Sequence, residues 1–186
     1  MRAVKPAGWR KHRIYGAGIR RFIIVATAAL LATGGALGRE PTWQEQQSLP
    51  AWAASIVGEK RFASTYALST RINPYFLQGD FNGDNRLDLA VLIEHREAAQ
   101  QGIAILHAGT PNAIVVGAGR AIGNGGPDFS WLDAWSIYVR NPVPPDTRGK
   151  NSPALRGDAL LVQKLESASA LLYWDGAAYR WRQHRD

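Results

Sequence analysis

The chain has 186 residues, 46% of them hydrophobic, no cysteine and a formal net charge of +7. Lack of cysteine excludes disulfides, thiol catalysis and anchoring through a lipidated cysteine. The charge is confined to one end. Residues 1–38 hold seven Lys or Arg and no acid, while Arg39–Asp186 holds 15 of each sign, so the body of the chain lacks the basic surplus that nucleic-acid binding requires.

Arg2, Lys5, Arg10, Lys11, Arg13, Arg20 and Arg21 precede an apolar run of eleven residues, Phe22 to Ala32, and the small residues of Ala36-Leu37-Gly38 follow. A basic head, a short apolar core and a small-x-small end describe a secretory signal peptide spanning 1–38. The run is shorter than the ~18 residues of a membrane span. The expected location is therefore periplasmic or secreted, with the alternative of an inner-membrane anchor through 22–38 if the leader stays uncleaved. The 148 residues from Arg39 to Asp186 fit a single domain with a sizeable core.

Thr42 to Val57 opens with a capping-box pattern, Thr42 and Glu45, but Pro50 interrupts it, which predicts a short, broken helix. After it the chain reads as strand and turn. The predicted strands are 62–69, 75–80, 87–94, 103–107, 113–116, 135–140, 159–165, 170–174 and 178–182. Trp135, Ile137 and Val139 alternate with Ser136, Tyr138 and Arg140, as a half-buried strand requires. Asp175-Gly176 between two aromatic strands is a hairpin signal. Short turns without helical crossovers predict a mainly β, β-rich α+β fold, an antiparallel meander with a short N-terminal helix. Asn141 to Gly157 is a Pro-rich loop too long for a simple turn.

The densest chemistry lies in Gly79–Ile93, GDFNGDNRLDLAVLI, where Asp80, Asn82, Asp84 and Asp88 take the first, third, fifth and ninth positions of one loop. Carboxylates this close repel one another unless a cation lies between them, and Ca²⁺ accepts about six to eight oxygens from alternate side chains of a tight loop. The expected ligands are Asp80, Asn82, Asp84, the backbone carbonyl of Arg86, and Asp88 closing the site in bidentate fashion. The loop departs from an EF-hand: its sixth position is Asn85, its twelfth is Val91, and a β-rich run follows instead of a helix. Asn82-Gly83 is also an ordinary turn signal, so a metal-free polar turn is the competing reading.

GDFNGDNRLDLAVL resembles the calcium loop of an FG-GAP or VCBS-type repeat, as in the β-propellers of integrin α-chains. The likeness covers Tyr75 to Ile93 and occurs once. It implies a strand–loop–strand unit holding calcium. A chain of this length with one copy is too short for a full propeller. The chain also resembles small exported bacterial proteins carrying one such loop, a likeness that brings no activity with it.

Other features carry less. Gly117-Ala118-Gly119 lacks the following helix of a dinucleotide loop. His95 and His107 are expected to face one another if their strands pair, with Glu94 and Glu97 close by, a minor catalytic candidate beside the ordinary reading of solvated histidines at strand ends. Of the tryptophans in Arg39–Asp186, Trp131 and Trp181 neighbour polar loops or arginines and are the candidates for an exposed binding face. The leading expectation is an exported, non-catalytic binding or scaffolding domain with one structural Ca²⁺ site and a protein or glycan partner in the cell envelope. The alternative is a hydrolase of envelope polymers with its site around Asp128 and Asp133.

Overall fold

In the computed structural model, which describes residues 48–143 and 153–185, Pro50 stands directly ahead of an α-helix at Ala51–Gly58 (α1). Proline has no N–H to donate to a preceding turn and its fixed φ suits a helix start. The Thr42 cap and the leader lie outside the described residues. A four-residue helix, Lys60–Ala63 (α2), follows, and the first strand is only Tyr66–Leu68 (β1). This corrects the strand expected from Phe62. Lys60 and Arg61 favour helix, and Phe62 turns its ring onto Tyr66, 5.2 Å away, instead of extending.

Eight further strands complete two sheets. Phe76–Gly79 (β2), Asp88–His95 (β3), Gln101–Leu106 (β4) and Ala113–Gly117 (β5) join β1 in a five-stranded antiparallel sheet. Ala134–Tyr138 (β6), Ala159–Lys164 (β7), Ala168–Trp174 (β8) and Tyr179–Arg185 (β9) form a four-stranded meander. The fold is mainly β, as the periodicity predicts, with the strands divided between two sheets. β1 and β2 share one edge of β3, pairing with its far and near halves: Leu68 opposes Ile93, and Gly79 opposes Asp88.

Side-chain alternation decides the layering. Ala90, Leu92, Ile103 and Ile105 face the second sheet and pack with Leu132, Trp135, Leu160, Val162 and Leu172. Leu89, Val91, Ile93, Ala104 and Leu106 face the other way, into a second cluster with Ala53 of α1 and Leu49. β3 is thus apolar on both faces, which explains its near-continuous hydrophobic run. In β6, Trp135 and Ile137 join the core, but the strand ends at Tyr138 and Val139 is 61% exposed. Among the described residues no helix is long and apolar enough to cross a membrane.

Candidate metal centre

The loop 80–87 joins β2 to β3 as a hairpin and is held from three sides. Phe81 inserts its ring into the core between the sheets and is fully buried. Asp88, also fully buried, accepts from the backbone N–H groups of Phe81 at 3.0 Å and Asn82 at 3.3 Å through Oδ2, and of Ala108 at 2.8 Å through Oδ1. Asp158, ahead of β7, donates its backbone N–H to the Asp80 carbonyl at 2.6 Å and accepts from the Asp80 N–H at 3.2 Å. The contact is backbone on backbone: a Cβ on Gly157 would lie 2.2 Å from the Asp80 carbonyl oxygen.

Inside the loop, the candidate ligands fold the backbone around themselves. Asp80 Oδ1 accepts from Gly83 N–H at 2.7 Å and Asp84 N–H at 3.0 Å, and its Oδ2 accepts from Asn85 N–H at 3.0 Å. Asn82 Oδ1 accepts from Asp84 N–H at 2.9 Å. Asp84 accepts from Arg86 N–H at 2.9 Å and from the Asn82 amide at 3.1 Å. Gly83 and Asn85 both take positive φ, +82° and +63°, which Gly adopts freely and Asn tolerates. Arg86 lays its guanidinium against the turn at Gly109.

The donor chemistry suits a hard cation, with oxygen ligands in a loop whose outer part, Asp84 to Leu87, is exposed. Asp80 Oδ2, Asn82 Oδ1, both oxygens of Asp84, and Asp88 Oδ1 each take a single donor and so keep acceptor capacity. In this structure the carboxylates turn toward backbone N–H groups. Among the described residues no three His, Cys, Asp or Glu side chains converge as a metal-binding group. A bidentate Asp88 would compete with its three amide donors.

Beneath the loop lies a buried polar chain. His107, 6% exposed, shares a 2.8 Å hydrogen bond between its Nε2 and the Tyr179 hydroxyl, and its ring meets Trp174 edge to face. Burial raises the Asp88 carboxyl above its ordinary range, against the opposing pull first of the Ala108 N–H and then of the His107 ring. Burial, and next the Asp88 charge, push the Tyr179 hydroxyl upward as well. Asp158, Gly157, Phe81 and the His107–Tyr179 pair are the parts of this site that the loop's spacing does not reveal. Apart from Phe81, which lies within the loop, they are far away in sequence, and only strand pairing brings them here.

The other candidates disperse. His95 and His107 sit at opposite ends of the first sheet, since Glu94 pairs with Gln101 and Leu89 with Leu106. Their strands do pair, and that register corrects the expectation that the two histidines then meet. Asp128 accepts from Gln101 N–H at 2.9 Å, Ser130 N–H at 3.0 Å and the Ser130 hydroxyl at 3.0 Å, and Asp133 accepts from Leu165 N–H at 3.0 Å. Both serve turns. Residues 144–152 of the Pro-rich loop lie outside the described residues. Comparison of the chain with protein-family models, curated proteins and solved structures gives no match.

Proposed function

We propose that this chain is an exported, non-catalytic binding or scaffolding domain of the cell envelope, with one structural Ca²⁺ held in the 80–88 loop. Asp80, Asn82, Asp84 and the Arg86 carbonyl are its ligands, and Asp88 supports the loop from beneath while offering one oxygen. The observation that carries the reading is the loop's position. It contacts the turn at Ala108 and, through Asp80 and Asp158, the segment ahead of β7, so a cation there would brace a loop that bridges the two sheets. Bound calcium would supply charge neutralisation for three aspartates that otherwise repel one another.

Calorimetric titration of the full chain with CaCl₂ tests it. Wild type should bind one ion with a dissociation constant near the weak extracellular range, about 10⁻⁴–10⁻³ M. Asp84→Ala, whose side chain hydrogen-bonds only within the loop among the described residues, should lose that binding and keep the fold. Binding unchanged in Asp84→Ala would overturn the ligand set. For the export half of the proposal, N-terminal sequencing of protein from fractionated cells should find a start near Arg39 outside the cytosol. An intact Met1 in the cytosol would contradict it.

A further inference from the structure

A second concave site lies at the opposite, open end of the core. Inward positions of β7, β8 and β9 fill the interior with Leu160, Leu172 and Tyr179. Toward the other end of the same face the inward positions are Lys164, Ala168 and Ala170. The two alanines are too small to fill the space, leaving a cleft of about 400 Å³ walled by Trp131 and Trp181. That volume is at the lower end of ligand clefts, with room for about one or two sugar rings.

The wall is rigid. Trp131 donates its indole N–H to the Gly125 carbonyl at 3.0 Å. Trp131 and Trp181 meet edge to face, 6.0 Å between centroids, and Phe129 backs both at 5.4 and 6.3 Å. The turn at Gly123–Gly125 lies flat on Trp181: a Cβ on Gly125 would come within 2.5 Å of the indole ring. An aromatic face fixed before binding loses little freedom when a ligand arrives.

The polar part of the cleft is unbalanced. Lys164 is exposed at its rim, and among the described residues it has no ion-pair partner and no carboxylate lines the cleft. Asn124 adds an amide on the other side. A pyranose matches this pattern, with an apolar C–H face to lie on indole and a belt of hydroxyls for the amide. A carboxylate on the sugar answers the Lys164 ammonium. Lys164 and Asn124 are both exposed, so a fatty chain would gain nothing from either, whereas a carboxylated sugar uses both. We propose that this cleft binds a carboxylated saccharide of one or two rings, which gives the binding domain inferred above its ligand class and rests on that reading.

The test is calorimetry of the full chain at low ionic strength with digalacturonic acid and with its dimethyl ester, which removes the charge and keeps the rings. The acid should bind about fivefold tighter than the ester, the scale of one exposed ion pair. Lys164→Gln should abolish that ratio and retain the ester's affinity. Ala168→Leu, which fills the floor, should remove both without lowering the melting temperature. No binding of either sugar, equal binding of the two, or binding that survives Ala168→Leu would overturn the proposal. Release of free galacturonic acid on incubation would keep the cleft as a saccharide site and overturn the non-catalytic reading instead.

Discussion

At the scale of single residues, Asp88 decides how the loop stands. Its carboxylate is buried, which is costly, yet it satisfies three backbone donors from two segments. Asparagine at this place would relieve the buried charge but offer one oxygen where two are used. Because an unsatisfied buried amide costs about 1–3 kcal/mol, the loss should win. Asp88→Asn is expected to be less stable than wild type by that amount in urea melts with chelator present. Equal or greater stability would mean that charge burial dominates at this site. The same residue shows what the sequence tells and what it withholds. The alternation of oxygens from Asp80 to Asp88 is local and readable. That Asp88 faces Ala108, twenty residues away, depends on the β3–β4 register, which local spacing does not contain.

At the scale of elements, turns with one aspartate at the hinge recur. Asp175 closes the β8–β9 hairpin by accepting from the N–H groups of Ala177 and Ala178 and from Arg180. These contacts, the Ala178 N–H first and then Arg180, hold its carboxyl well below the usual range. A depressed folded value means that the ionised form is favoured by folding. Its contribution is full above the unfolded value near 3.8 and is lost as pH falls toward the folded one. The stability difference between wild type and Asp175→Asn should therefore be greatest above about pH 5 and shrink on acidification toward pH ~2. A difference that is flat or grows with acid would contradict the assignment. This hairpin was legible because Asp-Gly between aromatic runs is a strictly local signal. The start of β1 was not, since Phe62 reads as strand by composition and becomes helix through its packing against Tyr66.

At the scale of the whole molecule, two sheets enclose one core, and the 80–88 loop and the aromatic cleft lie at separate places on it. Periodicity predicted strands near all nine observed positions, but neither the division into two sheets nor the hollow beside Trp131 follows from it. The hollow arises because Ala168 and Ala170 align opposite Lys164 and Val162, a consequence of pairing. The central claim is that the calcium proposed for the 80–88 loop would brace the loop that bridges the two sheets. Its most direct test is the thermal melt of the full chain in chelator and in 10 mM Ca²⁺, about tenfold above the weakest expected dissociation constant. Mass action at that ratio contributes about 1.4 kcal/mol, which for a domain of this size raises the melting temperature by about 3–6 °C. Mg²⁺, which demands a tighter octahedron, should raise it much less, and Asp84→Ala should not respond. Identical melting of the wild type in chelator and in calcium would contradict the claim and leave the loop an ordinary hydrogen-bonded turn.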